Sequence, residues 1–482
     1  MPKVTNAHCR HFAWIVLFAS VVRGGVLLSA HESLTADPDA YREIARCVAL
    51  YGVIGIEGVD QSSGKRTGFP TAFRPPLYPW LLAWLPNDQG NPTNDAVALM
   101  HGLLGILTVA GTYIVALQLL SNPQADRVPR QLNMAAALAA VLVAIDPLLL
   151  KSSSLVMTET LAAMLVVLTL WCWLRLLSVL DRDRAEPPLR VFACAGLIGV
   201  VLGLAYLCRP TFILWPLLLG AHLVGSAIYQ RRGQDAIAAG CMVLTVAILV
   251  AAWSARNFHH YQKPIWATTH GGYTLLLGNN PSFYDYLKTP GTFGRAWDPS
   301  FFFASWAQRS SGDPRDAAFW ERDHAIQQPH VKPATNGEVA DDRLAYETAI
   351  ATIQRDPLRF LHACLWRLER LHSPLPLRTG DRSSGAIIGI TAFYSLVLVL
   401  VLTGIWKLGL RLASPRWIAA LALWVSLACV HTVYWTDMRM RAPAVPVWSI
   451  LAAAALLPRT RPAASAGGHT AALRSTIPAS NS

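Results

Sequence analysis

Two carboxylates two residues apart, in Asp37-Pro38-Asp39-Ala40-Tyr41-Arg42, are the first place in this chain where chemistry can be read. Such a pair can share a cation or divide into a base and a positioning group. The same residues also suit a helix start, with Asp37 or Asp39 as the cap. Local sequence leaves both roles open, and they are compatible. Glu159, in Val156-Met157-Thr158-Glu159-Thr160, reads either as a first-turn helix acid favoured by the helix dipole or as an acid facing the same cavity as Asp37. Arg209-Pro210-Thr211 sets a guanidinium in a tight turn. There it either snorkels to head groups or grips a phosphate in bidentate fashion. Asp437-Met438-Arg439-Met440-Arg441 adds two more arginines. Arg23 interrupts an apolar run and calls for a water-filled cavity or a counter-charge such as Glu159. Gly271–Gly278 has neither the spacing nor the strand-to-helix context of a phosphate-cradling loop, and reads as a tight turn.

The elements that must position these groups are membrane helices. Of 482 residues 53% are hydrophobic and only 15% charged, against about 25% in an ordinary soluble chain. A span needs ~20 apolar residues, which gives about ten. They are placed at Phe12–Ala30, Asp95–Leu120, Gln131–Leu150, Thr158–Leu180, Val191–Cys208, Phe212–Tyr229, Ala236–Ala255, Ala386–Leu408, Trp417–Tyr434 and Pro443–Leu457. The N-terminus imitates a signal peptide, but the Arg23 interruption and the many spans that follow favour an uncleaved first span. Arginines cluster in alternate connectors: Arg127 and Arg130; Arg182, Arg184 and Arg190; Arg231 and Arg232; Arg411 and Arg416; Arg459 and Arg461. The positive-inside bias puts those connectors, and both termini, in the cytoplasm. The formal charge of +12 lies largely in these connectors, with no basic block interleaved with aromatics, so a nucleic-acid partner is not expected. The eight cysteines show no CxxC. Cys47 and Cys364 fall on the same side, where two free thiols are favoured over a disulfide.

Two longer segments remain on the opposite, outer side. Residues 31–94 carry an expected helix pair, Asp39–Ala49 and an interfacial Leu77–Leu85, separated by a Gly/Ser-rich turn at Gly58–Gly68. Phe258–Gly385 is far longer than an ordinary connector. It ends in an amphipathic stretch, Tyr346–Leu371, in which Pro357 either kinks the helix or starts its second half. The expected organisation is an N-terminal membrane module at 1–257 that includes the 31–94 loop, a loop domain at 258–385, C-terminal spans at 386–458, and a disordered tail at 459–482. No internal repeat is visible.

On this topology acids and arginines converge at the outer helix ends. Arg209, with Arg439 or Arg441, could hold an anionic lipid phosphate while a carboxylate activates a nucleophile. That division suits glycosyl transfer from a polyprenyl-phosphate sugar, because phosphate is already a good leaving group and one base plus positive charge suffices. A transporter or flippase for an anionic lipid or lipid-linked sugar is the rival reading. Transporters, however, place their sites near the midplane between repeats.

The ordered set Asp37-Pro38-Asp39-Ala40-Tyr41, Phe73-Arg74-Pro75-Pro76-Leu77-Tyr78-Pro79, Thr158-Glu159-Thr160-Leu161, Cys208-Arg209-Pro210, Gly271-Gly272-Tyr273 and Arg439-Met440-Arg441-Ala442-Pro443 resembles glycosyltransferase family 39 of the GT-C class. That family includes the protein O-mannosyltransferases and the lipid A aminoarabinose transferases. The resemblance implies an all-α polytopic GT-C-like bundle in a bacterial inner membrane. It also implies inverting transfer from a polyprenyl-phosphate-linked donor to a lipid, protein or glycan acceptor on the periplasmic side. Asp37 would be the base with Asp39 near it, Arg209 the phosphate-side cation assisted by Arg439 or Arg441, and Glu159 a cavity acid, with Tyr41 and Arg74 also at the substrate. A divalent ion on Asp37 and Asp39 is conceivable, without a further ligand set. Relatives often carry Asp-Glu where this chain has Asp-Pro-Asp, and an aromatic residue where it has Met440.

Overall fold

The computed structural model describes residues 6–121, 130–180, 187–289, 295–322, 337–377 and 383–459. Arg127, Arg182, Arg184, Arg461 and all of the expected tail beyond Arg459 lie outside the described residues. Helix α1 (Asn6–Ser29) leads into the first loop, which holds α2 (Tyr41–Tyr51), strands β1 (Gly55–Val59) and β2 (Arg66–Pro70), α3 (Leu77–Ala83) and the two-residue strands β3 (Asn87–Asp88) and β4 (Asn91–Pro92). The bundle continues with α4 (Asn94–Leu120), α5 (Arg130–Ile145), α6 (Pro147–Ser153), α7 (Glu159–Leu180), α8 (Pro188–Cys208), α9 (Leu214–Gln230) and α10 (Gly233–Tyr261). The long connector carries α11 (Gly271–Gly278), α12 (Pro281–Lys288), α13 (Ser300–Ala307), α14 (Ala317–Trp320), α15 (Glu338–Arg355) and α16 (Pro357–His372). Helices α17 (Ser384–Leu408), α18 (Pro415–Val433) and α19 (Val445–Ala453) return to the bundle.

Among the described residues, eight helices are long and apolar enough to cross a membrane, and α5 with α6 makes a ninth that is bent by 48°. The chain is a multi-pass membrane protein. The bend falls inside the span expected to run unbroken from Gln131 to Leu150. Pro147 has no N–H to continue the ladder, and Asp146 caps the new helix by accepting from the Leu149 amide at 2.9 Å. The tenth expected span is not one regular helix. Its α-helical part is only the nine residues of α19, with 3-10 turns at Met438–Ala444 and Ala454–Leu456 on either side. Pro443 and Pro446 remove donors where a regular helix would need them.

Small residues let the spanning helices approach closely, as packing in lipid favours. A Cβ on Gly199 of α8 would collide with the Met242 carbonyl of α10, and one on Gly404 of α17 would collide with the Leu451 carbonyl of α19. A backbone oxygen cannot rotate aside, so Gly404→Val is expected to lower stability by about 1–3 kcal/mol. Thermal unfolding of the detergent-purified variant measures this, and an unchanged midpoint would refute the close-approach account.

The first loop departs from an all-helical reading. Its Gly-rich stretch is an antiparallel hairpin pairing Gly55 with Pro70 and Val59 with Arg66. Gly68 is not there for a turn. A Cβ at that position would run into the Cys47 thiol of α2, so the glycine lets the hairpin lie flat on that helix. Cys47 and Cys364 are both free and buried. The expected interfacial helix is α3, with Trp80 and Trp84 45% and 74% exposed as amphipathic rings at a membrane surface would be. Gly271–Gly278 is a helix rather than a turn; Gly271 and Gly272 allow it to sit directly against Tyr346 and Asp342 of α15. Pro357 starts α16, with Asp356 capping it through the Arg359 amide at 2.9 Å. The connector builds an aromatic core in which Phe283 meets Trp297, Trp366 and Trp435 at 5.3, 5.3 and 5.5 Å. Buried Arg367 fastens that core to α18, donating to the Thr432 carbonyl at 2.7 Å.

Candidate active site

Glu159 opens α7, where the helix dipole favours an acid, and is 2% exposed. It does not stand alone. Arg209 Nη1 lies 3.0 Å from its Oε1, and Arg439 Nε lies 3.5 Å from the same atom. Arg209 is the extended residue between α8 and the short 3-10 helix Pro210–Phe212, so its side chain points across the helix ends; Nη1 also donates to Thr158 Oγ1 at 3.1 Å. Arg439 comes from the 3-10 helix before α19, and its own amide donates to the capping Asp437 carboxylate at 2.7 Å. The two guanidiniums touch thioether sulfurs as well, Met440 for Arg209 at 3.3 Å and Met157 for Arg439 at 3.0 Å. A buried carboxylate thus holds two arginines side by side, and 35% of the Arg439 side chain stays open.

The first loop supplies the facing half. Ala40 has φ +58°, a left-handed turn that costs a residue with a Cβ roughly 1–2 kcal/mol. This turn separates the two acids. Asp37 falls back onto the start of α2, its Oδ1 accepting from the Tyr41 amide at 2.8 Å and its Oδ2 from the Arg42 and Glu43 amides at 2.7 and 3.4 Å. Asp39 instead pairs with Arg74, whose Nη2 reaches its Oδ1 at 2.7 Å and whose Nε donates to its carbonyl at 3.0 Å. Arg74 lies over the Phe73 ring at 4.6 Å and within 5.9 Å of the Tyr41 ring. Tyr41 itself is buried edge-on against Tyr78 at 5.1 Å. Asp39 and Tyr41 lie within electrostatic reach of Arg439, and Arg209 and Glu159 within reach of Tyr41, so the two halves form one cluster.

Burial pushes the Asp37 carboxyl above the usual carboxylate range, and the three amide hydrogen bonds offset only part of that. As a divalent-cation site the two acids fit poorly. One faces backbone amides, the other is neutralised by Arg74, and among the described residues no three His, Cys, Asp or Glu side chains gather to hold a metal ion.

Two pairings left open by the sequence are not the ones observed. Arg441 does not join Arg439. In a 3-10 helix successive residues turn by a third of a circle, so positions i and i+2 diverge. Arg441 faces away, donating to the Leu371 and Ser373 carbonyls at 3.3 and 2.7 Å. Nor is Glu159 the counter-charge of Arg23; the acid within its electrostatic reach is Asp146, at the α5–α6 bend.

Other groups at the site were not singled out from sequence. His431, in the last turn of α18, is buried and lies within electrostatic reach of Arg209. His270 meets the Phe73 ring edge-to-face at 4.6 Å; burial, with Arg74 nearby, pulls its pKa down to about 3 and keeps the ring neutral. A polar histidine at the end of an apolar run was the available signal for the first, and nothing local marked the second. The loop carrying Phe73 and Arg74 is pinned by Glu338 of α15, which accepts from Thr71 Oγ1 and the Ala72 amide at 2.8 Å each, from Tyr261, and from Thr269. One turn later Asp342 accepts from the Gly272 amide at 2.7 Å.

Burial raises the Asp342 carboxyl to about 6. The folded state therefore holds a proton that the unfolded chain, with a carboxyl near 4, has already lost. Its contribution to stability falls as pH rises from ~4 to ~6. Asp342→Asn, which keeps an oxygen for Gly272, is expected to flatten the pH dependence of the unfolding midpoint over that window and to raise it at pH 7. A variant whose midpoint still tracks wild type from pH 4 to 7 would exclude this residue as the source.

With the geometry established, comparison with known proteins is informative at the level of fold. No family model matches the sequence, and no curated protein matches it. The Archaeoglobus fulgidus oligosaccharyltransferase in its apo form superposes with a TM-score of 0.50 at 13% identity, covering 92% of this chain and 50% of that one. The two chains share a fold. This chain spans about half the length of that protein. The oligosaccharyltransferase AglB from Archaeoglobus fulgidus, in complex with an inhibitory peptide and a dolichol-phosphate, gives a TM-score of 0.49 at 13% identity, over 92% and 50% of the two chains. ArnT from Cupriavidus metallidurans bound to undecaprenyl phosphate gives 0.34 at 15% identity, over 89% and 77%. The polytopic helical bundle expected from the sequence is observed, and its fold is the one seen in the archaeal oligosaccharyltransferase.

Proposed function

We propose that this protein is a membrane glycosyltransferase that moves a sugar from a polyprenyl-phosphate donor to an acceptor at the helix ends where Asp37, Asp39, Glu159, Arg209 and Arg439 meet. The observation that carries the reading is the pair of guanidiniums held side by side by one buried carboxylate, facing a loop with two acids. Two fixed guanidiniums suit a phosphate whose charge grows as the glycosidic oxygen departs. A lipid-borne phosphate fits their place at the ends of membrane helices, and the fold shared with an oligosaccharyltransferase agrees with this chemistry.

In the proposed step the acceptor nucleophile loses its proton to Asp37 and attacks the anomeric carbon. The carbon–oxygen bond to phosphate breaks on the opposite face, inverting the centre, and the bonding pair leaves with the phosphate. Asp37 suits the base because a carboxyl raised by burial is the better proton acceptor, and three amides leave one of its roughly four lone-pair positions free. Asp39, already paired with Arg74, would instead orient Arg74 and Tyr41 at the sugar. The active face would be periplasmic, with both termini cytoplasmic in a bacterial inner membrane. The long connector, 258–385, would select a lipid, protein or glycan acceptor.

Proteoliposomes loaded with a radiolabelled polyprenyl-phosphate sugar and a membrane-fraction acceptor test the reading. Label appearing in the acceptor, with one polyprenyl phosphate released per bond formed, is the expected result. Label crossing the membrane with its lipid linkage intact would establish the transporter reading instead.

A further inference from the structure

The Asp37 loop and the Glu159 segment reach the site from different elements, and one buried side chain joins them. His101, in the N-terminal part of α4, is fully buried. Its Nδ1 lies 2.8 Å from the Ser153 carbonyl and its Nε2 lies 2.8 Å from the Tyr78 hydroxyl. A carbonyl can only accept, so Nδ1 carries the proton; in the neutral ring Nε2 then accepts and Tyr78 donates. Tyr78, on α3, is fully buried as well, and its ring meets the Tyr41 ring edge-on at 5.1 Å. Tyr41 opens α2, and its amide donates to Asp37. On the other side, Ser153 ends α6, where the carbonyls of the last turn have no helical amide to accept from. The segment 154–158 leads from there directly to Glu159. Its Met157 sulfur touches Arg439 at 3.0 Å, and its Thr158 hydroxyl accepts from Arg209 at 3.1 Å.

Tyr78 lies within electrostatic reach of both Glu159 and Arg42, one group from each half of the site. The 48° bend at Pro147 turns α6 off the α5 axis, and the carbonyl at the end of α6 is the one His101 takes. We infer that His101 is a positioning residue that sets the spacing between the Asp37 loop and the Glu159–Arg209–Arg439 group. In the transfer reading, on which this rests, base and phosphate grip must stand at a fixed distance across the sugar. A misplacement of about 1 Å can cost roughly 10²-fold in rate. Arg42 anchors the loop independently, donating to Asn94 Oδ1 at 2.6 Å and to the Leu34 carbonyl at 2.8 Å. Loss of His101 therefore loosens the register between the two halves without releasing the loop.

Transfer kinetics and hydrogen–deuterium exchange of the full chain in detergent test this. His101→Leu removes both hydrogen bonds and is expected to lower kcat about 10–100-fold. KM for the lipid-linked donor should hold, because each half still binds its own part of the substrate. Tyr78→Phe keeps the ring against Tyr41 and breaks only the link to Nε2. It should lower kcat in the same sense, and it decides the matter if His101→Leu does not fold. His101→Gln carries a donor and an acceptor on one planar amide, so it should return kcat toward wild type. Wild-type kcat in folded His101→Leu or Tyr78→Phe overturns the assignment. So does a loss confined to KM, or a glutamine variant no better than leucine. If wild type itself transfers no label, the glycosyltransferase reading fails and exchange decides the link between the halves. Amides at 41–43 and at 154–158 should exchange faster together in His101→Leu and return to wild-type rates in His101→Gln. Either segment unchanged in His101→Leu overturns the link.

Discussion

Replacing Asp37 with asparagine is expected to slow transfer by about 10²–10⁴-fold, the range a general base contributes, while leaving the protein folded. Asparagine keeps an oxygen that can accept from the Tyr41 or Arg42 amide, so the start of α2 survives the change. It loses the ability to take a proton. The pH profile separates chemistry from structure. A base must be deprotonated, so wild-type kcat/KM should fall as pH drops through the raised carboxyl of Asp37, at higher pH than an unperturbed carboxylate near 4. In the Asp37→Asn variant that acid limb should vanish from the residual rate. Asp39→Asn should weaken substrate binding through a displaced Arg74 and keep the limb. Transfer from labelled lipid-linked sugar, measured from pH 4 to 8, checks all three statements; an undiminished Asp37→Asn rate would remove Asp37 from the mechanism.

Loss of Arg209 should be nearly as severe, for two reasons that can be separated. Arg209→Gln withdraws one of the two guanidiniums proposed for the departing phosphate, a loss of roughly 10²–10³ in kcat. It also leaves buried Glu159 with only the more distant Arg439. Removing one partner of a buried pair costs about 3–5 kcal/mol when the remaining charge is uncompensated, and Arg439 should reduce that figure. The double variant Arg209→Gln with Glu159→Gln removes the orphaned charge. Its unfolding midpoint should recover toward wild type while transfer stays low. Recovery of both together would mean that Arg209 acts only as a structural partner of Glu159.

Much of this arrangement was legible along the chain because a bilayer imposes strong one-dimensional rules. Every lipid-facing backbone group must bond within its own helix, so apolar runs of span length announce themselves. The same rule marked Glu159, Arg209 and Arg439 as groups that belong at helix ends. Local grammar was equally readable at Pro357, which starts α16, and at the capping geometry of Asp37.

Other features depended on neighbours far away in sequence. Glycines 58 and 68 carry turn character, and only the approach of Cys47 shows why Gly68 belongs in a strand. Arg441 looks equivalent to Arg439 in a list of residues. The 3-10 geometry at Pro443 sends them apart, toward Glu159 in one case and toward the end of α16 and Tyr394 in the other. Asp146 became the partner of Arg23 because Pro147 breaks a helix that apolar periodicity alone draws as continuous. Glu338 pins the loop that carries Arg74 from more than 260 residues away.

The sequence by itself determined the membrane class, the helix ends at which polar chemistry gathers, and the identity of most of the groups there, since hydrophobic length and the cost of buried charge act locally. The tertiary structure alone decided which acid faces which arginine. Ion pairing depends on angstrom distances between side chains whose separation along the chain carries no distance information.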